Sequence, residues 1–173
     1  MATMQATQTE TNYRFADPDD VRKLLENYPT SVTSSEALPN AAPHPALNGK
    51  RVVLSWEERK TPADDAIYFV WGDGSKCWIP NSETFNALFT STQDIILLSR
   101  AQLESISRGP DLSDGAAMVR GKGQVPNYFV SNKQKHYVTS PKVLAYCHLR
   151  GAQEIPRAAV EAIPTGFDID YGA

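Results

Sequence analysis

Tyr68-Phe69-Val70-Trp71-Gly72-Asp73-Gly74-Ser75-Lys76-Cys77-Trp78-Ile79 and Tyr128-Phe129-Val130-Ser131-Asn132-Lys133-Gln134-Lys135-His136-Tyr137-Val138 are two renderings of one pattern. Each opens with Tyr-Phe-Val and passes through a polar or glycine-rich break. Each resumes with Lys, a variable residue, an aromatic and a β-branched residue. Aromatic and β-branched runs separated by a few turn formers predict a β-hairpin. Gly72 and Gly74 in the first break, and Asn132 in the second, tolerate the positive φ that tight hairpin turns need.

The match extends outward from the hairpins. Upstream, Arg51-Val52-Val53-Leu54-Ser55-Trp56 reads as a strand, and Ala117-Met118-Val119-Arg120 takes its place in the second stretch. Downstream, Pro80-Asn81-Ser82-Glu83 opens a short helix that Ser82 is placed to cap, with Phe85, Leu88 and Phe89 on its inner face. Ser140-Pro141 opens its counterpart, Lys142 to His148, with Leu144 in the place of Phe85. Ile95 to Leu98 is a short apolar run. Ser99 is placed to cap a helix over Arg100 to Ser107, with Leu103 and Ile106 inward and Gly109 after its end. From Leu98 to Leu112 the chain aligns without a gap to Ile155 to Ile169, keeping Arg, Ala, Glu, Ile, Gly and Asp in register. Such a recurrence, in the same order as the hairpins, is the signature of an internal duplication.

Burial gives the pattern its physical reason. A three-stranded meander has an apolar face to cover, and each unit alone is marginal for a private core. The expectation is therefore an α+β fold, two tandem β-β-β-α units packed as one pseudo-two-fold domain. Residues 49–114 form the first unit and residues 115–173 the second. Residues 1–48 precede them as a leader, a helix and a Pro-rich linker. In that arm, Asp17 is placed to cap a helix with Pro18 at its first position. Val21, Leu24, Leu25 and Tyr28 follow at helical spacing, and Pro29 stops it. Thr30 to Asn48 reads as linker, with His44 a solvent-facing loop histidine.

The second unit resembles the tandem hairpin-helix repeats of bacterial secreted and cell-surface proteins. The residues that carry the likeness are Met118-Val119-Arg120-Gly121, Tyr128-Phe129-Val130-Ser131-Asn132-Lys133, Lys135-His136-Tyr137-Val138, Ser140-Pro141 and Ile163-Pro164-Thr165-Gly166. The resemblance covers roughly residues 49–169 and rests on structural motifs. It implies a fold and an association with surfaces, and it carries no catalytic residues.

Composition narrows the function classes. Among 173 residues, 41% are hydrophobic and 21% charged, the balance of a globular protein with a real core. A net charge of -3 argues against the whole chain as a nucleic-acid binder. No apolar stretch approaches a membrane span, and Met1 to Asn12 lacks the pattern of a secretory signal. The expected location is the cytoplasm, with export by another route left open. Cys77 and Cys147 are too few for a disulfide framework and read as reduced and buried.

Signatures of catalysis, cofactor and metal are absent: no dinucleotide or phosphate loop, no His-Glu-x-x-His, no Cys-x-x-Cys and no nucleophile elbow. Gly121-Lys122-Gly123 reads as a plain turn. One enzymatic alternative remains, a Cys147 or His136 nucleophile-base site in a cleft between the units. Against it, Cys147 aligns with the apolar Leu88, and Cys77 aligns with His136 at what reads as a drifted surface position. The more suggestive feature is charge segregation. Between Gly115 and Gln153 there is no Asp or Glu, while Arg120, Lys122, Lys133, Lys135, Lys142 and Arg150 share the stretch with Tyr128, Tyr137 and Tyr146. The leading expectation is a non-enzymatic binding or assembly module. Its candidate contacts are Lys133, Lys135, His136, Tyr137, Arg120, Lys122 and Trp78. Its ligand is an anion or a glycan, or its partner is a protein or a second copy. A structural homo-oligomer is the third reading.

Overall fold

The computed structural model describes residues 13–29 and 41–171, so the leader before Tyr13 and linker residues 30–40 lie outside the described residues. The strands are β1 (Arg14–Phe15), β2 (Arg51–Leu54), β3 (Tyr68–Trp71), β4 (Ser75–Trp78), β5 (Ile96–Leu98), β6 (Ala117–Gly121), β7 (Asn127–Ser131), β8 (Gln134–Val138) and β9 (Gln153–Ile155). The helices are α1 (Pro18–Glu26), α2 (Ser82–Leu88), α3 (Arg100–Glu104), α4 (Pro141–Tyr146) and α5 (Arg157–Glu161). The architecture is α+β with two mixed sheets, ordered β1-β5-β2-β3-β4 and β8-β7-β6-β9.

The helices begin where side chains can take orphan amides. Asp17 caps α1 by accepting from the Asp19 amide, Asn81 rather than Ser82 caps α2, and Ser140 caps α4. Ser99 and Gln102 form a reciprocal capping box on α3. Helices α3 and α4 are shorter than the sequence pattern implies. Helix α3 ends at Glu104, and the chain beyond it turns extended, with Ala42 pairing beside Ile106 and Lys76 beside Arg108.

Both hairpins form. Tyr68 lies opposite Trp78 and Phe69 opposite Cys77; Tyr128 lies opposite Tyr137 and Phe129 opposite His136. Their turns differ in length. Trp71 pairs with Ser75, whereas Ser131 pairs with Gln134 across Asn132 and Lys133, both at positive φ. The apolar run before α3 becomes β5, parallel to β2, and Gln153–Ile155 becomes β9, parallel to β6. Each segment is thus β-β-β-α-β-α rather than β-β-β-α. The arm is not only helical either: β1 adds to the edge of β5, antiparallel, with Arg14 opposite Leu97.

The sheets meet through their inner faces. Phe69 and Phe129 stack with ring centroids 5.8 Å apart and planes 7° from parallel, and Phe89 and Trp71 flank Phe69. Burying such rings supplies the main driving force of the interface. The first sheet also buries its outer face, where Val52, Tyr68, Val70, Trp78, Ile96 and Leu98 pack with Leu47 and Leu103. Leu47, Tyr13 and Tyr28 of the arm help close that layer. The second sheet's outer face is covered less fully, by α5, whose Val160 is 2% exposed and accepts from Lys135. Tyr68, Val70 and Trp78 are 3%, 0% and 8% exposed, whereas Tyr128, Val130 and Tyr137 on β7 and β8 are only half-buried. Among the described residues, no helix is long and apolar enough to cross a membrane.

Candidate functional site

The alternation of a strand separates the candidates drawn from the sequence. On β8, Lys135 and Tyr137 share the outer face with Tyr128, whose ring lies 6.0 Å from that of Tyr137. His136 turns the other way, into the seam between the sheets, where it is 2% exposed. Cys77, opposite Phe69 as His136 is opposite Phe129, is also buried. This pair is therefore an inner-face position and not a drifted surface one. Lys133 and Lys122 lie exposed in turns at different ends of their strands. Arg120, on β6, pairs with Glu154 at 3.4 Å. Trp78 belongs to the covered outer face of the first sheet. The structure therefore brings Lys135 and Tyr137 together, with Lys133 at the end of the same hairpin. His136, Arg120, Lys122 and Trp78 lie elsewhere.

Lys135 has a structural role as well. Its Nζ donates to the Val160 carbonyl at 2.8 Å and lies 5.3 Å from the centre of the Tyr128 ring. Lys76, fully buried, does the same with the Leu103 carbonyl at 2.6 Å and the Tyr68 ring at 5.3 Å. Both ammonium groups sit at the end of a short helix, where exposed carbonyls favour a cation. Burial, with Arg108 near it, pushes Lys76 down to about 8.

The thiols are poorly suited to nucleophilic work. Burial pushes Cys77 up to about 11, although the Trp71 indole N–H donates to its sulfur at 3.1 Å. Burial likewise pushes Cys147 up to about 12, with Lys50 and Arg51 opposing. A reactive cysteine needs the opposite shift. His136 Nδ1–H donates to the Phe167 carbonyl at 2.9 Å, since a carbonyl oxygen only accepts, and this holds the ring as the Nδ1–H tautomer. Burial holds His136 below its ordinary value, and no hydrogen bond among the described residues joins it to Cys147. Among those residues no group of three or more His, Cys, Asp or Glu side chains is placed to hold a metal ion.

A cleft of about 720 Å³ opens at the seam. Trp71, Asp73, Arg108, Phe167, Asp168 and Tyr171 are among the residues that line it, and Asp73, Phe167 and Asp168 are exposed. Trp71 meets Phe167 edge-to-face at 4.8 Å, and the Gly72 amide donates to the Tyr171 hydroxyl at 2.6 Å. Apart from Trp71, an aromatic beside the first turn, none of these residues reads in the sequence as part of a site. One signal was Phe167, an aromatic in the place of Pro110 in the aligned segments. No family model matches the chain, and no curated protein or solved structure does.

Proposed function

We propose that the protein is a non-enzymatic recognition module made of two copies of one unit in pseudo-two-fold relation, and that a protein partner docks on the outer face of its second sheet. Several correspondences support the duplication. In both segments the pairing runs antiparallel, antiparallel, then parallel. The tethered lysines Lys76 and Lys135 occupy the same place in each. The Gly109 amide donates to the Lys76 carbonyl and the Gly166 amide to the Lys135 carbonyl, both at 2.9 Å. Phe69 and Phe129, matched in sequence, stack on one another, as side chains next to a two-fold axis do.

One observation carries the functional reading. The outer face that the arm and α3 bury in the first unit is only half-buried in the second, beside α5, and it carries Tyr128, Val130 and Tyr137 beside Lys135. Half-buried aromatics on a rigid sheet supply contact area at little entropic cost. The first unit shows what suits such a face: a chain segment that inserts Leu47 and pairs Ala42 beside Ile106. In the second unit Pro164 stands where Ser107 donates to Ala42, so a partner there relies on side-chain packing more than on strand addition. The resemblance to repeats of surface proteins is compatible with an assembly role.

Site-specific photo-crosslinking tests the reading. A benzophenone side chain at Val130 or Tyr137 should capture one defined protein in the producing cell, and one at exposed Glu83 should not. Salt-sensitive retention on heparin, lost in a Lys133→Ala/Lys135→Ala variant and without any protein adduct, would instead identify an anionic ligand.

A further inference from the structure

We propose that the cleft at the seam binds a quaternary ammonium cation. The first observation is a pair of differences between the aligned segments Leu98 to Leu112 and Ile155 to Ile169. Phe167 stands in the place of Pro110, and Thr165 in the place of Arg108. One change adds a ring to the cleft, and the other removes a cation. In the first segment Arg108 donates to Asp111 at 2.7 Å, and its guanidinium lies over the Tyr68 ring, 5.7 Å from its centre, on the covered outer face. That charge is already answered. In the second segment Asp168, the counterpart of Asp111, has no arginine beside it. Among the described residues neither Asp168 nor Asp73 enters an ion pair, and both are exposed and line the cleft.

The second observation is that the rings are held ready. Phe167 meets Trp71 at 4.8 Å and His136 at 4.2 Å, yet it remains 43% exposed. Its ring lies so close to Gly72 that a Cβ there would come within 3.2 Å of it. The Gly72 amide donates to the Tyr171 hydroxyl at 2.6 Å, so Tyr171 is anchored on the same residue. Two rings thus converge on Gly72 in a cleft of about 720 Å³, within the range of sites for small organic ligands. An aromatic face attracts a cation, and a quaternary ammonium group, which donates no hydrogen bond, is the cation that such faces suit best. Asp73 and Asp168 complement its charge and repel anions. This rests on the cleft alone, so it stands or falls separately from docking on the outer sheet.

The test is titration of the full chain with choline, followed by the amide proton signal of Gly72. Phosphocholine and N-acetyl-trimethyllysine amide separate a lipid headgroup and a protein side chain from a free small molecule, and the tightest of the three names the source. Saturable binding that shifts the Gly72 signal is expected. Uncharged 3,3-dimethylbutanol, of the same shape as choline, should bind more weakly by roughly tenfold, and so should ethanolamine. The Asp73→Asn/Asp168→Asn variant keeps an acceptor for the Ser75 amide, which Asp73 Oδ1 now takes at 3.1 Å. It should weaken the quaternary cation by roughly two- to fivefold. Phe167→Leu, which keeps apolar bulk and loses the ring, should weaken it by roughly threefold or more. Failure of all three quaternary probes to bind overturns the proposal. So does 3,3-dimethylbutanol or ethanolamine binding as tightly as choline, or unchanged affinity in either variant.

Discussion

At the scale of single residues, the buried titratable groups make the clearest commitments. His136 in the folded chain is held below its ordinary value of 6.5 by burial, while in the unfolded chain it takes a proton near that value. The unfolded state therefore binds more protons below about pH 6.5, and stability falls as pH drops through that window. His148 is shifted the same way, first by burial and then by Arg51, so it shares the slope. Urea melts from pH 7.5 to 5 should show the decline, and a His136→Gln variant should show a flatter one. The thiols give a second test. With Cys77 and Cys147 pushed up to about 11 and about 12, native protein at pH 8 should resist iodoacetamide, and both thiols should label in denaturant. Rapid labelling of Cys147 alone would revive the nucleophile. Tyr28 gives a third. Its hydroxyl donates to the Ile79 carbonyl at 2.7 Å and accepts from the Ile67 amide at 2.8 Å. Tyr28→Phe should cost about 1–3 kcal/mol in chemical denaturation, because a buried amide loses its acceptor.

At the scale of elements, the turn of the second hairpin is strained where the first is not. Asn132 and Lys133 both hold left-handed φ, at 53° and 65°, and Lys133 has no glycine's freedom. Lys133→Gly should stabilise the fold by roughly 0.5–1 kcal/mol, the relief of strain less the entropy of unfolded glycine. A higher melting temperature checks it. Both hairpins were legible in the sequence because their period and turn residues are local signals. The strands β5 and β9 were not. Ile96–Leu98 and Gln153–Ile155 are three residues each, too short for a period, and they exist only because β2 and β6 offer an edge. The two residues of β1 depend on β5 in the same way. The Asn81 cap was displaced by one residue from expectation, the usual uncertainty of a helix end.

At the scale of the whole molecule, what the sequence conceals is which side of each strand faces what. Lys135, His136 and Tyr137 are neighbours in the chain, yet β8 sends the first and last outward and His136 into the seam. The cleft was invisible for the same reason: Trp71, Arg108 and Phe167 are far apart in sequence and meet only when the sheets pack. The stack of Phe69 on Phe129 has a temporal side too. A chain emerging from synthesis N-terminus first completes β1 to β5 before β7 exists. Until Phe129 arrives, the face bearing Phe69, Trp71 and Phe89 is bare, although the opposite face already has the arm over it. The newborn protein therefore passes through a stage that is finished on one side and adhesive on the other. A pause in translation after residue 114 would prolong the interval in which it is most in need of a chaperone.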